Sequence, residues 1–209
     1  MPADLLARLR ADPTRAPEIL ALAAAEVHGP EAAEWERDLR SRYVLRDRDL
    51  AKRAKARHAA LARVAGAATG VGGIVTFLPD LATLMWIQSR LVFFMAAAFG
   101  LDPCDPMRPA ELLVLRDLYA DPAEARLALD GTGRRIAEAY VDKQLRARDA
   151  ELVESLLRFA GKRAVRGLAG RAIPGFAILF NSVSNERDTR ALADRARAFY
   201  ETATAATAP

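Results

Sequence analysis

The sequence predicts an all-α fold: a single-domain helical bundle with two apolar, glycine-rich helical hairpins broken at Pro79 and Pro174. Three observations carry this. Alanine and leucine dominate while aromatics make up only 7% of the chain, a composition that favours helices over strands. No stretch of useful length alternates polar and apolar residues in the manner of a half-buried strand. At 209 residues the chain can hold one good hydrophobic core, so one domain is the expectation.

Taken in order, residues 1–29 are expected to form short helices, over 3–11 and 16–28. Gly29-Pro30 then ends one helix and starts the next, because proline suits a first helical turn. Residues 30–202 form the main helical domain. From Pro30 to about Arg63, Trp35, Leu39, Tyr43, Leu50, Ala54 and Leu61 mark one apolar stripe. The opposite faces are charged. "RDRDLAKRAKARH" (46–58) carries six basic and two acidic side chains besides His58, and reads as a solvated face laced with Asp47 and Asp49 or as a contact for anionic lipid or nucleic acid.

An apolar helix is expected from Val64 to Thr76, with Pro79 ending it and opening a second that runs to Phe99. Asp80 then sits in a first turn, where a carboxylate meets exposed N–H groups. Gly100 is a C-terminal stop. Beyond the proline-rich 101–111, Pro109 starts a helix reaching Tyr119, and Asp121-Pro122 reads as a cap followed by a first-turn proline. Gly131 and Gly133 break that helix, and a long charged one is expected over 134–159. Residues 161–185 repeat the earlier device: a small-residue helix, a break at Pro174, an apolar restart. The last helix reaches about Thr202, and 203–209 is expected to be a disordered tail.

Charge and chemistry exclude several classes. The net charge is +4, and only four of the 31 basic residues are lysine. The single cysteine, Cys104, rules out an internal disulfide framework, and a cytoplasmic chain without a signal peptide is the expectation. The uncharged run from Val64 to Pro79 is 16 positions long, short of the roughly 20 that span a bilayer. It therefore reads as a buried hairpin, as a segment inserted into one leaflet, or as one lying flat on a membrane. "GAATGVGG" lacks the lysine and hydroxyl residue of a phosphate loop. His28 and His58 lack ligand spacing, so no metal and no cofactor are expected. Ser89, Ser155, Ser182 and Ser184 lack a nucleophile-elbow sequence.

The string "VAGAATGVGGIVTFLPDLATLMWIQSRLVFFMAAAFGLD" (64–102) resembles the core of the EcsC protein family. "GRAIPGFAILFNSVSN" (170–185) is similar to that family's second signature, and "ALADRARAFY" (191–200) fits its ending. The matching positions are Gly66, Gly70, Pro79, Asp80, Gln88, Gly100, Pro174, Gly175 and Asn181. The resemblance implies a helical protein linked to export, without established catalytic residues.

The resulting expectation is a non-enzymatic protein at the inner face of the cytoplasmic membrane, bound peripherally to lipid or to a membrane transporter. Asp80, Gln88 and Asn181 are polar candidates, as an ion or head-group site or as a cap and helix bridges. Lys162, Arg163, Arg166 and Arg171 border an apolar segment and are candidates for anionic head groups. The alternative is a soluble carrier whose Phe77, Trp86, Phe93, Phe94, Phe176 and Phe180 line a pocket for an apolar ligand. Nucleic acid is not an expected partner, since no aromatic platform interleaves the second basic cluster.

Overall fold

The structure is a computed structural model that describes residues 1–68, 77–131 and 174–207, with side chains over 1–65, 81–131 and 183–206. Seven α-helices and one 3-10 turn, with no strand, account for the ordered elements among the described residues. They are α1 (Leu5–Ala11), the turn Pro13–Arg15, α2 (Ala16–Arg42), α3 (Asp47–Ala68), α4 (Phe77–Ala98), α5 (Arg108–Leu115), α6 (Pro122–Leu129) and α7 (Pro174–Thr207).

Local signals set many of these ends. Asp12 caps the 3-10 turn by accepting from the Arg15 N–H. Asp121 caps α6 by accepting from the Ala123 and Glu124 N–H groups at 2.9 Å, with Pro122 in the first turn. At the end of α4, Gly100 takes φ +74°. Its N–H bonds to the Ala97 carbonyl and the Leu101 N–H to the Ala96 carbonyl, which satisfies two terminal acceptors. The described part of α7 begins at Pro174 and that of α4 at Phe77, two residues before Pro79, so the expected breaks at Pro79 and Pro174 border residues outside the described ones. The glycine-rich tract 69–76, the helix expected over 134–159 and the small-residue segment 161–173 lie outside the described residues.

Several expectations are corrected. Gly29-Pro30 does not separate two helices, and the boundary expected there falls inside α2. Pro30 and Glu26 are both exposed, so the proline sits on the solvent side of α2, where losing one helical donor costs least. Gly29 has a different task. A Cβ there would lie 3.0 Å from the Pro103 carbonyl oxygen, so the bare Cα admits the 101–107 connection. The expected helix from Pro30 to Arg63 is instead interrupted at Tyr43, where the backbone turns extended. Tyr43 and Leu61 leave the apolar stripe and are exposed, while Leu50 and Ala54 are buried. Val64 begins no new helix, since α3 runs unbroken to Ala68. The helix expected to reach Tyr119 stops at Leu115, and Asp117 takes φ 59° behind it. Finally, α7 continues to Thr207, past the expected tail boundary, with the Thr202 and Thr204 hydroxyls donating to carbonyls of the preceding turn.

Helix directions follow from side-chain pairs. Arg48, Lys55 and Arg63 on α3 meet Glu201, Asp194 and Glu186 on α7, so these two helices are antiparallel. His28 meets Trp86, Glu31 meets Arg90 and Trp35 meets Phe94, so α2 and α4 are parallel. Arg40 at the end of α2 reaches both Asp47 at the start of α3 and the Ala98 carbonyl at the end of α4. Thus α3 runs against α4. One end of the bundle therefore holds the end of α3 and the starts of α4 and α7.

The core is centred on α4, which packs against α2, α3, α5 and α7. It supplies Met85, Leu91, Phe93, Phe94 and Met95, all fully buried. The stretch Leu81–Ala98 is long and apolar enough to cross a membrane, with mean hydropathy 1.5, yet 78% of it is buried within the bundle. It is placed as the core helix of a helical domain, burying its apolar surface against protein.

Candidate functional site

The polar groups buried along α4 fall into two layers. In the first, Gln88 joins three helices. Its side-chain oxygen accepts from Nη2 of Arg116, the residue that closes α5, at 2.7 Å, and its Nε2 donates to Thr189 Oγ1 of α7 at 3.0 Å. Thr189 in turn donates to the Asn185 carbonyl at 2.6 Å. The donors all point the same way, from guanidinium to amide to hydroxyl to backbone, which lets each bond polarise the next. Arg116 is buried, and burial together with nearby Arg195 lowers its pKa to about 9 against the pull of Asp188 and Asp117. It remains a cation at neutral pH.

The second layer is aromatic. His28 of α2 is buried against the Trp86 ring, with centroids 4.4 Å apart. Its Nδ1 donates to Glu31 Oε2 at 2.9 Å, and Arg90 Nε donates to the same oxygen at 2.9 Å. His58 of α3 is fully buried against Phe94 at 4.9 Å and donates from Nδ1 to the Ala54 carbonyl at 2.8 Å. Both Nε2 atoms are buried without a hydrogen-bond partner. Burial lowers both histidines to about 4, with the Glu31 bond opposing it at His28 and the Ala54 bond at His58. At Glu31 burial raises the carboxyl pKa, but the bonds from His28 and Arg90 outweigh it and leave it below its ordinary value. Arg90 and Arg57 complete the layer, with guanidiniums 4.6 and 5.8 Å from the Phe94 centroid.

Two further polar clusters fasten the flanking helices. Tyr119 donates to Glu18 of α2 at 2.6 Å. Arg108 binds Glu111 and the Asp102 carbonyl beside buried Tyr200, which clamps the 101–107 connection onto α7.

Of the residues expected to act, Gln88 is the helix bridge described above. Trp86, Phe93 and Phe94 are buried, and the neighbours of Trp86 and Phe94 are the side chains of α2 and α3. Asp80 and Phe77 fall on the first turn of α4, and Phe176, Phe180 and Asn181 on the first turns of α7, with their side chains outside the described residues. Lys162, Arg163, Arg166 and Arg171 lie outside the described residues altogether. Sequence reasoning missed Arg116, Thr189, Glu31 and the sharing of one aromatic layer by His28 and His58. Only Arg116 left a trace, as a cation in the apolar run "ELLVLRDLYA".

Chemically these layers hold helices together. Ser89 is buried and donates to the Met85 carbonyl, which occupies the hydroxyl on α4. Cys104 is exposed, and slight desolvation of its sulfur with Asp102 beside it raises the thiol above its ordinary value, away from a reactive thiolate. Among the described residues no group of three His, Cys, Asp or Glu could hold a metal ion.

No curated protein and no solved structure matches the chain. The sequence model of the EcsC protein family matches residues 21–202, which takes in α2 to α7 and so nearly the whole bundle. The chain belongs to the EcsC protein family.

Proposed function

We propose that this EcsC-family protein is a non-enzymatic, peripheral component of the cytoplasmic membrane, set against the inner face by one end of its bundle. A single observation carries the reading: the helix directions bring the end of α3 and the starts of α4 and α7 together. Two sequence segments of special composition attach at that end. The uncharged, glycine-rich 69–76 joins Ala68 to Phe77, and the basic run containing Lys162, Arg163, Arg166 and Arg171 leads into Pro174. Among the residues whose side chains are described, Val64 and Val183 are the exposed large apolar residues nearest that end on α3 and α7, 68% and 63% accessible. An apolar segment and a basic run that both join the chain to this end suit the boundary between acyl chains and anionic head groups.

The membrane partner in this reading is lipid, with a membrane transporter as an additional anchor. Flotation of the full chain with neutral and anionic vesicles, at low and high salt, tests it. Binding that needs anionic lipid and weakens with salt is expected. A protein that stays with the soluble fraction under every condition refutes it.

A further inference from the structure

Besides Lys52, the cations on α3 and at Arg46 just before it divide into two sets. Arg48, Lys55 and Arg63 turn towards α7 and pair with Glu201, Asp194 and Glu186. Arg46, Arg53 and Arg57 turn outwards and are exposed. Among the described residues none of these three has a carboxylate within ion-pair distance. The two acids nearest in sequence are engaged elsewhere: Asp47 holds Arg40 at 2.8 Å, and Asp49 holds Lys52 at 3.6 Å. Arg53 lies 5.7 Å from the Tyr43 ring centroid and Arg57 5.8 Å from that of Phe94, contacts that position the charge without neutralising it.

Exposed apolar side chains share this face. Arg53, Arg57, Leu61 and Val64 recur at steps of four, four and three, which keeps them on one side of α3, and Arg46 immediately precedes the helix seven positions before Arg53. Leu61 and Val64 are exposed, and so are Tyr43 and Val44 where the chain enters α3. The strip thus carries apolar groups at both ends and uncompensated arginines between them. It also runs into the bundle end described above, through Val64.

We infer that this outer face of α3, from Tyr43 to Val64, is the surface that docks on an anionic lipid bilayer, with the helix lying along the membrane plane. The inference rests on the membrane reading and names the surface that makes the contact. Lipid suits the strip better than a nucleic acid does. Phosphates of a duplex would engage the arginines but leave Val44, Leu61 and Val64 in water, whereas the interfacial zone of a bilayer accepts both kinds of group.

The test compares three forms of the full chain in flotation with phosphatidylcholine vesicles containing phosphatidylglycerol. They are the natural protein, Arg46→Gln with Arg53→Gln, and Arg8→Gln with Arg10→Gln, which makes the same charge change on α1. Unchanged far-UV circular dichroism establishes that each is folded. Each arginine at the surface is worth about fivefold in partition, so the α3 variant is expected to bind roughly 25-fold more weakly and the α1 variant within about twofold of the natural protein. If the natural protein binds and the two variants behave alike, this surface is wrong while the membrane reading stands. If the natural protein does not bind, the membrane reading itself fails. If the α3 variant loses binding to a DNA duplex and keeps vesicle binding, the strip is a nucleic-acid contact and the inference is overturned.

Discussion

Acid should loosen this bundle through His28 and His58. Each donates from Nδ1, to Glu31 and to the Ala54 carbonyl, and each buries an Nε2 that has no partner. Protonation would place an unsatisfied cationic N–H in an apolar layer beside Arg90, with Arg57 also facing His58. Burial accordingly lowers both groups from 6.5 to about 4. Between those limits the unfolded chain binds more protons than the folded one, so stability is fully present above about pH 6.5 and declines as the pH falls towards 4. The linkage corresponds to about 2 kcal/mol per histidine at pH 5 and about 3 kcal/mol at full protonation of the unfolded state. Two histidines together would remove a large share of an ordinary domain's ~5–15 kcal/mol. Glu31, held below its ordinary value, adds a loss in the same direction, but only in the carboxylate range. Urea denaturation followed by tryptophan fluorescence at pH 7.5, 6 and 5 reads the slope. His58→Gln removes one titrating group and should flatten that slope by about half, and His28→Gln likewise. A stability that is level from pH 7 to 5, or a slope that both variants keep intact, would refute the reasoning.

Four substitutions probe other contacts. Gln88→Leu removes one acceptor of Arg116 and the donor to Thr189 in the core, and should cost about 1–3 kcal/mol in chemical denaturation, against about 1 kcal/mol for Thr189→Val. Gly29→Ala gains helix propensity but sets a Cβ against the Pro103 carbonyl, so a net loss of about 1 kcal/mol and a lower Tm are expected. A higher Tm would show that the 101–107 connection yields freely. Asp117→Gly relieves a left-handed backbone at φ 59° and should stabilise by roughly 0.5–1 kcal/mol, measured as a shift of the urea midpoint.

Capping signals were legible because they act within one turn. Asp121-Pro122 and Gly100 mark helix ends where they were expected, since each acts through its own backbone and immediate neighbours. Gly29-Pro30 carries the same kind of signal and was misleading. Its outcome depends on solvent over Glu26 and on a loop some 70 residues away in the chain, as roughly as such a separation can be put. The apolar stripe drawn through Tyr43 and Leu61 failed for a related reason: periodicity presumes an unbroken helix, and the chain turns extended at Tyr43.

The sequence alone determined the all-α class, the apolar character of the helix that became the core, and the family, because composition, hydrophobic pattern and motif order are properties of the chain itself. Tertiary structure decided which polar groups meet. Gln88 finds partners 28 and 101 positions away, and His28 and His58 reach one aromatic layer from different helices. It also decided which arginines of α3 remain uncompensated, by assigning Asp47 to Arg40 and turning Arg48, Lys55 and Arg63 towards α7. Pairing between charges falls off within a few ångströms, so it is set by which helix faces touch, and no local pattern encodes that.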